Sequence, residues 1–565
     1  GDQIPVSVEV ETDGKSAVES VSAVFTMYTM DGKQLTTKTT SQTTVAPAST
    51  TILSTNLSSD GTALWSLQDA SNLYNITCDI MVENSVMDSH YDDNVGFRIV
   101  SFHAQDPPII LNGVPFRFRG FSHHNSFAGV GVAMPPRLDL FRAQQSKALG
   151  ANVWRMSHNA YRRSTYEILN ELGSMIWDEH RDYGPPFYPS WSLQVKRDRS
   201  GLPAIVLWGF CNEYECNGGT GSTGNTFRSI AYAIDGTRET AANGDTTGLD
   251  VQGFSHASNN SFISFHKQNP NTPLVLSECC SCTTNNQRGD SPRTISSCVP
   301  EQNTPGLLPY VTGSLGVWTL TDYAGESHTW PQVSSPYGQF DFAGLPKAHA
   351  FWYRANWNAR YNGEGDKPAV SDIQVARILD LADQVSMLHG ASATIHTISS
   401  GEEAELFVDG RSQGVKSTAS SLPNEVMEVD WMVNRTIPTS CSFPTNLSNV
   451  QCHGLQKSSA TSASQCQQAC CASSSPCSVW QYLDTKGCWI GDVSFSTCDS
   501  STDPWVGGGR GGGSAFSNAT LVTRTGGKEV ARHTLLAPGN ATSIQLVIDV
   551  PNPSSGTGSK LLLDG

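Results

Sequence analysis

Hydrophobic and polar positions alternate in short runs over the first hundred residues. Segments 6–10, 22–28 and 74–82 carry this patterning, with polar turns such as Asp31-Gly32 between them. Successive side chains of a strand point to opposite faces, so the pattern predicts a small immunoglobulin-like β-sandwich over residues 1–103. From 104 to 360 the pattern changes. Apolar runs at 152–156, 204–208, 274–276 and 316–320 alternate with helix-compatible stretches. One stretch is 137–149, with Leu138, Phe141 and Leu149 on one stripe; another is 164–172. Strands alternating with helices over this length predict a (β/α)8 TIM barrel, usually about 250 residues long.

Strand-like alternation then returns. The run 404–408, an Asp409-Gly410 turn and the run 414–417 predict a hairpin. Runs 427–433 and 519–525 continue the pattern, which predicts a second immunoglobulin-like sandwich built from 361–436 and 514–565. Between its parts, 437–513 holds eight cysteines from Cys441 to Cys498 and a glycine run, Gly507 to Gly513, broken only by Arg510. This reads as a small disulfide-rich insert with a flexible linker, its pairing left open by the sequence.

Composition narrows the class. Apolar residues make up 38% of the 565, with 13 Trp, 21 Phe and 15 Tyr, enough for folded cores and too many for a disordered chain. Lys plus Arg number 36 against 52 Asp plus Glu, a net charge of −16 that argues against a nucleic-acid partner. No apolar stretch approaches the roughly 20 residues of a membrane span. Fifteen cysteines and seven Asn-X-Ser/Thr sequons, from Asn56 to Asn540, predict the secretory pathway and a secreted or extracellular glycoprotein. The chain starts in strand-like sequence with no signal peptide, which suggests a piece of a longer precursor.

Candidate chemistry lies at two strand ends. The apolar run from Ala204 ends in Asn212-Glu213, and Pro273-Leu-Val-Leu-Ser ends in Glu278. A barrel assembles its site from such ends, and a carboxylate after a buried run needs a partner or a purpose. Two facing carboxylates suit glycoside hydrolysis, one protonating the leaving oxygen while the other attacks the anomeric carbon.

Several segments resemble glycoside hydrolase family 2, which holds β-galactosidases, β-glucuronidases and β-mannosidases. They are Phe116-Arg-Phe-Arg-Gly-Phe-Ser-His-His, Gly150-Ala-Asn-Val-Trp-Arg-Met-Ser-His-Asn, Ile205-Val-Leu-Trp-Gly-Phe-Cys-Asn-Glu and Trp318-Thr-Leu-Thr-Asp-Tyr-Ala-Gly-Glu. The resemblance spans 1 to about 435. It implies that Glu213 is the acid/base, keeping a proton at working pH, and that Glu278 is the nucleophile of a retaining double displacement. It also implies that Asn212 bonds the sugar 2-hydroxyl and that Arg155 pairs with Glu278. His124, His158 and Trp318 would line the sugar pocket.

Where the family commonly has an Asn-Tyr pair that positions the nucleophile, this chain has Ser255-His256. An imidazole there titrates near neutrality, unlike a phenol. The family's N-terminal jelly-roll domain is absent from the chain, and the lysine that glucuronidases use near the last strand is missing from Tyr337-Gly-Gln-Phe-Asp. The expected activity is therefore hydrolysis of terminal β-glycosides, β-galactosides first. The alternatives are a β-glucuronidase, a β-mannosidase or a carbohydrate-binding pseudoenzyme. Cysteines flank both glutamates (Cys211, Cys216; Cys279, Cys280, Cys282) without histidines at zinc-ligand spacing, so disulfides are expected and no metal or other cofactor. The insert resembles a PAN/apple module, which implies a glycan or protein ligand, beside the carbohydrate substrate of the barrel.

Overall fold

Eight strands made almost wholly of buried residues form one parallel sheet. They are β1 (Phe118–His123), β2 (Val153–Met156), β3 (Met175–His180), β4 (Ile205–Asn212), β5 (Glu239–Asn243), β6 (Gln252–Ser255), β7 (Leu274–Glu278) and β8 (Val311–Val317). The computed structural model that shows them describes residues 3–12, 14–199, 201–213, 216, 221–244, 248–282, 304–326, 334–360, 375–379, 392–408, 410–417, 427–434, 442–443, 445–473, 477–491, 493, 498–509, 518–536, 546–550 and 559–563. Cys298, Asp409, Cys441 and Arg510 to Gly513 lie outside this set. The chain divides into two units that part within residues 351–370.

In the first unit the sheet order is β5-β4-β3-β2-β1-β8-β7-β6, so chain order runs round a ring. A parallel bridge between Ala241 and Val251 joins its two edges. Helices α1 (Pro136–Ala148), α2 (Arg163–Glu171), α3 (Tyr188–Asp198), α4 (Gly221–Ile234) and α5 (Asn259–Gln268) connect successive strands, while the link from β5 to β6 is too short for one. This is the predicted barrel. Strands buried on both faces read as apolar runs, which is why the sequence marks β2, β4 and β7. Inside, Trp177 occupies the space beside Gly209, where a Cβ would lie 1.6 Å from the indole nitrogen, so only glycine fits.

Two expectations need correction. The strand placed at 316–320 is Val311–Val317; its buried Thr312 and Ser314 break the apolar run that the sequence reading relied on. Helix α1 does not bury a stripe of Leu138, Phe141 and Leu149. Leu149 is buried, but Phe141 is 37% exposed, and the helix turns Asp139, Arg142, Ala143 and Ser146 inward. Asp139 accepts bonds from Arg162 Nε (3.0 Å) and Thr165 (2.7 Å), and Arg142 donates to the His124 carbonyl (3.0 Å). Paired polar groups are cheap to bury, so partners override the apolar period.

Before the barrel, residues 3–95 form antiparallel sheets that meet face to face. Val21, Ala23, Phe25 and Met27 alternate inward from Val18–Thr29, against Leu53 and Leu57 of Thr50–Ser58 and the Ile4–Val10 side of Gln3–Glu11. This part docks at the start of β4. Arg98 donates to the carbonyls of Pro203 (2.9 Å) and Ile205 (2.8 Å), and Trp65 Nε1 to that of Asn170 (2.9 Å).

In the second unit, Ile395, Leu406, Trp431 and Leu521 form a core between two more antiparallel sheets. A cysteine-rich module lies between Met427–Asn434 and Asn518–Thr525 in the chain. Its described residues form a five-stranded sheet and one helix, α6 (Ala463–Ala472), capped by the Ser462 hydroxyl. Cys466–Cys488, Cys470–Cys477 and Cys452–Cys498 are bonded. Gly507 to Gly509, expected in the glycine linker, belong instead to Val506–Gly509, a strand of this sheet. A Cβ at Gly508 would meet Trp480 at 2.8 Å, so this glycine serves close packing. Among the described residues no helix is long and apolar enough to cross a membrane.

Candidate active site

All eight strands bring a polar or aromatic group to the same, C-terminal end of the barrel. Arg155 lies in β2, Glu179 in β3, Asn212 closes β4 with Glu213 just beyond it, and Asn243 closes β5. Ser255 and His256 follow from β6, Ser277 and Glu278 end β7, and His124 and Trp318 follow β1 and β8. Glu213, His256, Cys211 and Cys280 are non-glycine residues at positive φ, between 47° and 65°. Backbone held in this sparsely populated region re-aims the side chains as the strands end.

Arg155, fully buried, is the hub. It donates to Glu179 at 2.6 Å and 3.0 Å, to Asn212 Oδ1 at 2.9 Å and, through a very short contact, to Glu278. Asn243 Nδ2 donates to Asn212 Oδ1 (2.7 Å) and to Glu278 (3.1 Å), and is itself oriented by Ser277 Oγ bonding its Oδ1 (2.7 Å). Because Asn212 Oδ1 accepts two bonds, its own amide N–H groups remain for another acceptor. His256 Nε2 lies 3.2 Å from the second Glu278 oxygen, and Ser255 Oγ donates to Glu213 at 3.0 Å.

Burial alone would raise the Glu278 carboxyl, but the Arg155 guanidinium and the His256 bond outweigh it and hold it at about 2. The same contest, won by Arg155 and His158, lowers Glu179. Burial pulls His256 down, yet the bond to Glu278 and the charges of Glu278 and Glu213 raise it on balance.

Donor atoms of Glu213, His256 and Glu278 all lie within 4.8 Å of one another. These three could hold a cation. A gap of this size between carboxylates also approaches the roughly 5 Å that a retaining glycosidase spans.

The structure thus gathers Glu213, Glu278, Arg155, Asn212 and His256 into one network. His158 enters it through Glu179, at 2.8 Å, and its ring stacks on Trp318 with centroids 5.3 Å apart. The ring of His124 stands edge-on to Trp318 at 5.0 Å, and burial pushes its pKa down to about 4. Trp318 is buried, and its Nε1 donates to Tyr323 at 3.0 Å. Sequence reasoning missed Glu179, Asn243, Ser277 and Tyr323. Glu179 follows the buried Met175-Ile-Trp run, the same signal that marked the other two glutamates. The flanking cysteines are bonded as Cys211–Cys216 and Cys279–Cys280.

Residues 2–98 match the family model described as glycosyl hydrolases family 2. A β-galactosidase of Thermoanaerobacter pseudethanolicus is 32% identical over 146 residues, 24% of this chain and 19% of that protein. A β-glucuronidase of Chlorocebus aethiops is 29% identical over 157 residues, 25% of this chain and 24% of that protein. The chain therefore spans at most about a quarter of either curated relative. Among solved structures, a glycosyl hydrolase family 2 member from Bacteroides cellulosilyticus superposes with a TM-score of 0.65 at 17% identity, covering 96% of this chain and 63% of that one. At that identity the likeness concerns the fold.

Proposed function

We propose that this chain is a retaining β-glycosidase of the family 2 type that removes a terminal neutral sugar, a β-galactoside first. The observation that carries the reading is the approach of Glu213 and Glu278 to within 4.8 Å at the barrel's strand ends. In this scheme Glu278, kept ionised by Arg155, attacks the anomeric carbon as Glu213 gives its proton to the departing glycosidic oxygen. Glu213 then takes a proton from water, whose oxygen displaces Glu278 from the sugar and restores both carboxyl groups. The amide N–H of Asn212 is free to bond a sugar hydroxyl. Bonded cysteines beside both glutamates support the further proposal of an oxidising, secretory compartment. The cysteine pattern of 437–506 supports a PAN/apple-type module.

Nitrophenyl β-galactoside, β-glucuronide and β-mannoside, offered to the full chain, test the reading. The galactoside is expected to turn over fastest and to release the β-anomer first by NMR. Glu278→Gln is expected to lower turnover by on the order of 10^4-fold or more. Glu213→Gln should cost about 10^2- to 10^4-fold on disaccharides and much less on nitrophenyl glycosides, whose leaving group needs no proton. Equal losses on both leaving groups would remove the acid/base role, and inertness to the whole panel would remove the activity.

A further inference from the structure

The cysteine-rich module holds a cleft of about 340 Å3, remote in the chain from the glutamates of the barrel. Lys457, Lys486, Trp489, Trp505, Gln481 and His453 are among the residues lining it. No Asp or Glu lines it among the described residues, although the chain carries a net charge of −16.

The two ammonium groups lie over indoles. Lys457 Nζ is 5.9 Å from the Trp489 ring and Lys486 Nζ is 5.6 Å from the Trp505 ring. Lys486 is held at 2.7 Å by Asp503, whereas Lys457 makes no ion pair among the described residues. Trp489 is fixed by its own N–H, which donates to the Lys486 carbonyl at 3.1 Å. Trp505 is 3% exposed and its N–H finds no partner.

A module that only had to be stapled shut would gain nothing from setting an ammonium without an ion pair beside an indole in an open cleft. The half-buried Trp489 indole beside an ammonium group matches a ligand that is apolar on one side and anionic at its edge. A pyranose ring bearing an acid group has that shape: its C–H face covers the indole and its anion meets the lysine. An acidic peptide offers the charge without the flat face.

We propose that this cleft binds an acidic unit of a polysaccharide, a pyranose carrying a carboxylate or a sulfate. Trp489 is its platform and Lys457 its counter-ion. The module then tethers the chain to a charged glycan independently of whatever the barrel cleaves.

Calorimetric titration of the full chain with polygalacturonate, a sulfated galactan, an unsubstituted galactan and poly-glutamate tests this. One or both acidic glycans are expected to bind, and which of them does so separates carboxylate from sulfate. Lys457→Met, at an exposed site, is expected to weaken that binding tenfold or more. Lys528→Met, the same change of charge elsewhere, should leave it unchanged. Trp489→Ala should weaken it comparably at an unaltered melting temperature; if the variant melts early, Lys457→Met decides alone. No binding of either acidic glycan would overturn the proposal, as would equal affinity for poly-glutamate or full binding by Lys457→Met.

Discussion

The barrel and the cysteine-rich module are held together by different forces. The barrel cluster includes Trp154, Trp177, Trp191 and Trp208, all 1% exposed or less, with Phe210 and Phe227. The module's main cluster is Cys466, Cys470, Cys477 and Cys488 around Trp480. A small domain has too little interior for the hydrophobic effect to offset chain entropy, so covalent bridges stand in for side chains. In the barrel the disulfides do another job: Cys211–Cys216 and Cys279–Cys280 sit where β4 and β7 deliver their glutamates. A large apolar core can bear a knot of buried charge at its rim. The module instead has its charged groups on an open cleft.

Hydrogen exchange of peptides from each region, read under native conditions, can break this contrast. The largest effect is expected from Arg155→Met, which strands Glu179 and Glu278 as buried charges without their main partner. Loss of one member of a buried pair costs about 3–5 kcal/mol, so β2, β3 and β7 amides should lose protection by that amount while the module keeps its own. The paired change Cys466→Ala with Cys488→Ala opens a bridge closing 22 residues and should cost the module about 3 kcal/mol. Barrel amides should stay as they were. If they weaken too, the two regions do not hold independently.

The smallest effect concerns His256, whose side chain is 34% exposed and therefore screened by solvent. Its pKa is raised in the folded chain, so its bond to Glu278 stabilises fully below the unfolded value of about 6.5 and fades as pH rises through the folded one. The stability difference between the unaltered chain and His256→Gln should be about 1 kcal/mol or less at pH 5.5. It should shrink toward zero at pH 9 in urea titrations. A difference that grows with pH would reverse the assigned sign.

Glu213 and Glu278 were legible because a carboxylate directly after a buried apolar run stands out. Glu179 carries the same mark but belonged to no motif that drew attention to it. Asn243 and Ser277 could not be read at all. Asn243 faces Asn212 only because the β4–β5 register pairs them, and register between strands far apart in sequence is not written in either strand alone. Helix α1 misled for a related reason, since Asp139 and Arg142 are buried by partners from other elements. The glycines at 507–509 looked like a linker because composition cannot distinguish a glycine needed for freedom from one needed for tight packing.

Each barrel strand supplies one part of the constellation, and the ring is completed at the bridge between Ala241 and Val251. A fragment that lacks any one strand therefore lacks part of the constellation. Glu213 and Glu278 lie 65 positions apart along the thread, and closure of the cylinder is what sets them side by side.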